Sequence, residues 1–176
     1  KDALVAAAGF INKVPEIVKE YGNEFTVATV GTIKVTPHSV NVIPGTCTFS
    51  LEIRDQSAEV MKLIENHLRQ LLEDICKKYG VTSTFVPTSY HDPAPMSELV
   101  RGTIEEAVKE LGIDYTVIPS GAFHDSLIMT SVFPTGMIFV PSKDGISHSR
   151  YEYTAPEDIE NGCNVLLNTV IKLDEK

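Results

Sequence analysis

The sequence predicts an α+β protein of two parts, and three observations lead to that prediction. Apolar residues recur at helical spacing over residues 4–18 and again over residues 60–75. Two β-rich runs, 25–35 and 46–54, lie between these helices. A stiff, proline-bearing segment at residues 91–95 then separates this half from a second half in which strands and helices alternate.

The first half, residues 1–94, has the predicted element order helix, strand, strand, helix, strand. The opening helix should be interrupted at Pro15, because proline lacks the main-chain donor that a helix interior needs. A long helix over residues 57–79 should end at Gly80, and a strand should follow at 81–86. This order matches a split β-α-β unit, so we predict a ferredoxin-like domain that lacks its first strand.

The second half, residues 95–176, is predicted to form part of an α/β layer. A helix capped by Ser97 is followed by short strands at 115–118 and 136–140. The last helix should begin at a T-x-x-E capping box, residues 154–157. Alternating strands and helices indicate a parallel sheet, and two strands are few for a free-standing one. We therefore expect the closing part of a larger α/β domain.

Composition excludes several classes of function. The 176 residues carry a formal net charge of −9, with a pI near 5.0, which disfavours nucleic acid or an anionic membrane as a partner. Three widely spaced cysteines, Cys47, Cys76 and Cys163, provide neither a disulfide framework nor a C-x-x-C zinc site. No apolar run reaches the roughly 20 residues of a membrane span, and no signal peptide is recognisable. These features predict a cytoplasmic protein, and a start inside a helix without methionine suggests an excised or truncated piece.

One histidine is a candidate metal ligand. His148 lies in a polar loop after the apolar run 136–140, where an imidazole can bind a metal or move a proton. The alternative is a loop histidine without a special role, which is the commoner case for a lone histidine. A hydrolytic metal site needs at least three ligands and a carboxylate that activates water. Neither an H-E-x-x-H nor an H-x-D motif occurs in this sequence.

Two further groups are candidate ligand-binding residues. Asn41 precedes the second β-rich run and Arg54 closes it, so we expect both to reach one end of the sheet and bind a carboxylate. The alternative is a turn asparagine and a surface arginine. Ser120, Gly121 and His124 lie at a predicted strand-to-helix turn, where backbone N–H groups can hold an anion. There the alternative is ordinary helix capping.

Three sequence blocks resemble one enzyme family, in the same order. They are residues 41–54 (Asn-Val-Ile-Pro-Gly-Thr-Cys-Thr-Phe-Ser-Leu-Glu-Ile-Arg), 120–125 (Ser-Gly-Ala-Phe-His-Asp) and 137–149 (Met-Ile-Phe-Val-Pro-Ser-Lys-Asp-Gly-Ile-Ser-His-Ser). They resemble the N-carbamoyl-L-amino-acid amidohydrolases, a family that includes allantoate amidohydrolase and β-ureidopropionase. That family is similar, at larger distance, to the dinuclear zinc aminopeptidases.

The resemblance implies a role for each candidate residue. His148 matches a metal ligand, Asn41 and Arg54 match residues that bind the acidic group of the substrate, and three residues match an active-site loop: Ser120, Gly121 and His124. Residues 1–94 would be a lid domain that also forms a homodimer, and 95–176 the C-terminal part of the zinc-peptidase-like catalytic domain. Phe123 stands where the family commonly has glycine, and Arg150 where it commonly has proline.

The activity implied by the resemblance is hydrolysis of a carbamoyl or ureido C–N bond in a small acid, such as an N-carbamoyl-L-amino acid or allantoate. The complete enzyme would hold a pair of divalent metals, Zn, Mn, Co or Ni. Its other metal ligands, its general base and its oxyanion-stabilising histidine would precede Lys1, so this chain alone should be inactive and bind no metal. The alternatives are a non-catalytic dimerisation or ligand-binding module and part of a related metallopeptidase.

Overall fold

The computed structural model describes residues 1–175 and contains both helices and strands. The chain divides into two compact units, Lys1–Pro93 and a second unit that begins at Ala94. Within residues 1–175, each helix is too short or too polar to cross a lipid bilayer.

The first unit opens with two short helices, α1 (Ala3–Ile11) and α2 (Val14–Tyr21). The Asp2 carboxylate accepts hydrogen bonds from the backbone N–H groups of Leu4 and Val5, both at 3.0 Å, and thereby caps α1. Pro15 lies in the first turn of α2. Backbone N–H groups there have no acceptor within the helix, so the missing N–H of proline costs no hydrogen bond. The predicted interruption of the helix is confirmed.

A bent antiparallel hairpin follows, built from β1 (Val27–Thr29), β2 (Ile33–Thr36), β3 (Thr46–Phe49) and β4 (Glu52–Arg54). In it β2 pairs with β3, and β1 pairs with β4. The segment between Thr29 of β1 and Ile33 of β2 is one residue longer than the opposite segment, between Phe49 of β3 and Glu52 of β4. The hairpin therefore contains a β-bulge. The Ser50 hydroxyl stabilises the bulge by accepting a hydrogen bond of 3.0 Å from the Thr32 N–H.

One face of the hairpin packs on helices. Partly buried and exposed residues alternate along 46–53, and the partly buried positions are Cys47, Phe49, Leu51 and Ile53. The long helix α3 (Ala58–Tyr79) is capped by the Ser57 hydroxyl and ends at Gly80, which takes the left-handed conformation with φ 64°. The core between these elements consists of four buried side chains: Phe10, Val14, Ile64 and Leu68.

The strand predicted at residues 81–86 is not formed. Val81 donates to the Cys76 carbonyl at the end of α3, but no segment within residues 1–175 pairs with 82–86 in a β-ladder. A strand needs a neighbour for its main-chain groups, and β-rich composition alone does not provide one. The prediction was wrong for this reason. The segment is instead held by a side chain, because the Arg69 guanidinium lies 3.7 Å from the centre of the Phe85 ring.

The second unit is built on helices α4 (Glu98–Glu110), α5 (Asp125–Met129) and α6 (Pro156–Asp174). The predicted cap of α4 is confirmed, since the Ser97 hydroxyl accepts from the Val100 N–H. The predicted capping box of α6 is wrong. Ala155 occupies the cap position, which puts Thr154 one residue too early to accept a hydrogen bond from the first turn.

Helices α4 and α6 pack through small buried side chains: Thr103, Ala107, Val165 and Thr169. The two threonine hydroxyls donate to carbonyls one turn earlier in their own helices, at 2.8 and 2.7 Å, so their burial leaves no donor unpaired. At the helix ends, Lys172 and Glu110 form a salt bridge of 2.7 Å.

The strands predicted at 115–118 and 136–140 are also absent, and no β-strand occurs from Ala94 to Glu175. The segment 136–140 nevertheless lies against both long helices. A Cβ atom added at Gly136 would lie 2.7 Å from a methyl group of Val100 in α4, and one added at Gly162 in α6 would lie 2.5 Å from a methyl group of Val140. The parallel sheet is missing for the same reason as in the first unit, because these segments have no ladder partner among the described residues.

Candidate functional site

The candidate residues of the first unit begin with Arg54, at the end of β4. Arg54 and Glu52 are two residues apart on one strand, so their side chains point to the same, exposed face. The Arg54 guanidinium donates to both carboxylate oxygens of Glu52, at 2.9 and 3.0 Å. Both side chains remain about half exposed, at 46% and 59%. The fork is therefore within reach of a second carboxylate from solution.

Asn41 lies in the loop between β2 and β3. It is exposed, and its side-chain oxygen accepts a hydrogen bond of 2.7 Å from the Ser39 hydroxyl. This bond fixes the orientation of the amide and leaves its NH₂ group as the available donor.

The backbone places Asn41 and Arg54 at opposite ends of one strand. The loop that contains Asn41 leads into β3, and Arg54 is the last residue of β4. The expectation that both residues reach the same end of the sheet is wrong for the backbone, because a hairpin loop and the far end of its second strand lie at opposite ends. Their assignment as substrate-binding residues stays a prediction.

In the second unit, Ser120, Gly121 and His124 lie in the loop before α5. The Ser120 hydroxyl is within hydrogen-bond distance of both backbone groups of Ala122, at 3.3 and 3.4 Å, so it closes a tight turn at Gly121. The His124 ring lies edge-on to Phe139, with 5.6 Å between the ring centres. This contact connects the loop to the segment 136–140. Because α5 has only five residues, its N-terminus is a weak anion site.

His148 lies in an exposed loop in a constrained conformation. Its φ of 54° is in the left-handed region, which non-glycine residues occupy uncommonly and histidine more often than most. The His148 backbone N–H donates to the Glu152 carboxylate at 2.8 Å, and the Glu152 N–H donates to the Ser149 carbonyl at 3.0 Å. The loop is thus closed on itself, and the imidazole is left exposed at its surface.

His148 is a single candidate donor for a metal. In the part of the chain that the structure describes, no three His, Cys, Asp or Glu side chains come together in a group that could hold a metal ion. A hydrolytic metal centre requires at least three protein ligands. The ring can therefore provide one ligand of such a centre.

Two carboxylates were missed by the sequence analysis. Glu52 holds Arg54, and Glu152 holds the loop of His148. The first pair could have been found from its spacing, since residues i and i+2 of a strand share a face. The second could not, because a contact four residues away in a loop depends on the backbone turn and not on a periodic pattern.

Comparisons with known proteins cover nearly the whole chain. Residues 6–172 match the model of peptidase family M20/M25/M40. The N-carbamoyl-L-amino acid amidohydrolase of Geobacillus stearothermophilus is 38% identical over 173 residues, which is 98% of this chain and 42% of that protein. The ureidoglycolate hydrolase of Oryza sativa subsp. japonica is 35% identical over 98% of this chain and 36% of that protein. Allantoate amidohydrolases are also among the matching proteins.

A solved structure agrees with these relatives. The crystal structure of AtUAH in complex with (S)-hydroxyglycine superposes with a TM-score of 0.91 at 35% sequence identity. The match covers 99% of this chain and 42% of that chain. The chain thus spans roughly two fifths of the length of the proteins it matches.

Proposed function

We propose that this chain, which belongs to peptidase family M20/M25/M40, is the C-terminal part of an amidohydrolase. The substrate would be a small acid with a carbamoyl or ureido group, whose C–N bond is hydrolysed. One observation carries the proposal. Relatives that are named for carbamoyl amino acids, ureidoglycolate and allantoate are 31–38% identical to this chain over at least 94% of its length.

Arg54 is proposed to bind the acidic group of the substrate. A guanidinium fork matches a carboxylate with two parallel hydrogen bonds, whereas the two hydrogen bonds to Glu52 both come from one nitrogen of Arg54, Nη2. An exposed pair of this kind contributes at most about 1 kcal/mol, so a substrate carboxylate can displace Glu52 at low cost. Asn41, whose NH₂ group is the available donor, stays a second candidate for that acidic group, although the loop that carries it lies at the other end of the hairpin.

His148 is proposed to bind one metal of a divalent pair, whether Zn, Mn, Co or Ni. An exposed imidazole on a closed loop fits a single ligand position, and the donors that complete the centre would belong to the longer protein. When bound, such metals polarise the scissile carbonyl and lower the pKa of the attacking water. Ser120, Gly121 and His124 would line the site, where the Phe139 contact holds the His124 ring in place.

The two units would have separate tasks. Residues 1–94 are proposed to form the lid, which also makes the homodimer contact, and residues 95–176 the closing part of the catalytic domain. The resemblance to the amidohydrolases supports this division. Arg54 and Asn41 then belong to the lid and His148 to the catalytic part, so substrate positioning and metal binding are assigned to different units.

Reconstitution tests the proposal. The 176-residue chain is mixed with a separately produced N-terminal half of one of its relatives, with each half alone as control. Ammonia release is measured with N-carbamoyl-L-amino acids, allantoate and ureidoglycolate, and peptide cleavage with dipeptides. We expect turnover of a ureido or carbamoyl acid in the mixture only, lost on chelation and restored by divalent metal.

Two results would contradict the proposal. Turnover of dipeptides alone would identify a peptidase. No turnover from a folded, stoichiometric complex of the two halves would favour a non-catalytic module.

A further inference from the structure

The loop that carries His148 is closed twice by main-chain hydrogen bonds. At its base the Lys143 N–H donates to the Tyr153 carbonyl at 2.8 Å. Nearer to His148, the Glu152 N–H donates to the Ser149 carbonyl at 3.0 Å and closes a β-turn. Because both contacts use main-chain groups, a change of the side chain at position 152 removes neither of them.

The Glu152 carboxylate makes the contact that involves His148 itself. It accepts a hydrogen bond of 2.8 Å from the His148 backbone N–H. Within residues 1–175 the His148 ring has no hydrogen-bond partner of its own. The backbone at position 148 therefore decides in which direction the imidazole leaves the loop.

That backbone has a conformation that is uncommon for a residue with a Cβ atom. At a φ of 54° the Cβ of His148 lies close to the following carbonyl oxygen, so the residue returns to negative φ unless a contact opposes it. A return to the common φ of about −63° would turn the side chain by roughly 120° about the N–Cα bond. A ring turned in this way leaves its ligand position, because distances between metal and ligand vary by only about 0.2 Å.

We propose that Glu152 is a positioning residue for His148. By accepting the His148 N–H, its carboxylate holds the left-handed conformation and so directs the imidazole towards the metal. The inference rests on the proposed function for the role of His148 as a metal ligand. Metal-binding histidines are commonly oriented by a hydrogen bond to the second ring nitrogen, whereas here the orientation comes from the main chain.

The first experiment examines the loop in the 176-residue chain by NMR. A residue with positive φ gives a strong NOE between its own amide and α protons, which we expect for His148. In Glu152→Ala this NOE should weaken, and hydrogen exchange of the His148 amide should become about tenfold faster, because its acceptor is lost. Glu152→Gln keeps an acceptor oxygen and should retain the NOE. The matched control is Glu160→Ala, which removes an exposed carboxylate of α6 and should change neither signal.

An NOE that persists in Glu152→Ala would overturn the proposal, since another contact would then hold φ. Circular dichroism verifies that each variant is folded. If Glu152→Ala does not fold, Glu152→Met takes its place, because methionine keeps the length of the side chain and offers only a weak acceptor.

The second experiment tests whether this conformation affects metal binding. The Zn²⁺ affinity of the complex between the 176-residue chain and the N-terminal half of a relative is measured by competition with a chromophoric chelator. Glu152→Ala should lower the affinity about 10–100-fold, as is usual for groups that orient a metal ligand. Glu152→Gln should stay within about threefold of the unchanged chain, because the hydrogen bond is retained, and Glu160→Ala should not change the affinity.

Unchanged Zn²⁺ affinity in Glu152→Ala would overturn the positioning role. Equal losses in Glu152→Ala and Glu152→Gln would also overturn it, because the charge and not the hydrogen bond would then be responsible.

The outcomes separate this inference from the proposed function. A complex whose Zn²⁺ affinity depends on Glu152 as expected, but which hydrolyses no ureido or carbamoyl acid, contradicts the proposed function alone. Turnover of such acids, with a Zn²⁺ affinity that falls in His148→Ala but not in Glu152→Ala, contradicts this inference alone. A Zn²⁺ affinity unchanged by His148→Ala contradicts both, since His148 would then bind no metal.

Discussion

The two units of this chain differ in one respect: the first contains strands, whereas residues Ala94–Glu175 of the second form none. In the first unit β1 to β4 belong to a single hairpin, in which paired residues are at most 27 positions apart along the chain, as for Val27 and Arg54. In the second unit the β-rich segments 115–118 and 136–140 have no neighbouring strand within the described chain. The difference shows that helices are determined locally, whereas strands need a second segment, because a helix pairs its own main-chain groups and a strand cannot.

The largest expected effect concerns the core of the first unit, which lies between its helices and its hairpin. Leu68 is 1% exposed and lies in the cluster with Phe10, Val14 and Ile64, so Leu68→Ala should destabilise this unit by about 2–5 kcal/mol. The matched control is Leu63→Ala on the same helix. Because Leu63 is 42% exposed, this substitution should lower the free energy of unfolding by less than about 1 kcal/mol. Urea unfolding, followed by NMR signals from each unit, measures both changes. Equal losses for the two leucines would show that the core is not where the structure places it.

The second prediction uses the assignment of substrate binding to the first unit and metal binding to the second. In the reconstituted enzyme, Arg54→Lys should lower kcat/KM by about 10–100-fold, since an ammonium loses the bidentate contact worth about 1.5–3 kcal/mol. Bound metal, measured by atomic emission, should be unchanged. His148→Ala should instead lower the metal content. Loss of metal in the arginine variant would contradict the division of tasks between the units.

A double-mutant cycle sharpens this prediction, because the two acid-binding candidates lie at opposite ends of one strand. If Asn41 and Arg54 contact the same carboxylate, the effects of Asn41→Ala and Arg54→Lys on kcat/KM should be non-additive by more than about 0.5 kcal/mol. Additive effects would show that the two residues do not contact a shared group.

The comparison of the units also explains which predictions from the sequence succeeded. The cap at Ser97, the stop at Gly80 and the break near Pro15 were predictable, because each depends on a few adjacent residues. The strands at 81–86, 115–118 and 136–140 were not, because their formation depends on partners that the pattern cannot supply. For the site, residue types and order identified the candidates, but their partners Glu52 and Glu152 required the fold.

A pair of glycine substitutions tests how the strandless unit packs. Gly162→Ala in α6 gains about 1 kcal/mol of helix propensity but pushes a methyl group against Val140, 2.5 Å away, so we expect a net destabilisation of about 1–2 kcal/mol. Gly102 in α4 is the matched control, since an added Cβ there enters open space, and Gly102→Ala should stabilise by up to about 1 kcal/mol. Thermal unfolding of the second unit measures both. If both variants are stabilised, the segment 136–140 does not lie against α6.

The smallest expected effect returns to the first unit and concerns Glu65 on α3. Hydrogen bonding to the Lys62 ammonium, supported by the Arg69 guanidinium, holds the pKa of the Glu65 carboxyl below its ordinary value of 4.5, although partial burial opposes the shift. A carboxyl with a lowered pKa in the folded state stabilises the fold above its unfolded pKa, and this contribution disappears as the pH falls through the folded pKa. Glu65→Gln should therefore cost about 0.5–1 kcal/mol at pH 7, and the difference in stability between the two proteins should disappear as the pH falls through the folded pKa of Glu65. Urea unfolding across this pH range measures the difference, and a cost that persists undiminished at low pH would mean that Glu65 acts through packing and not through its charge.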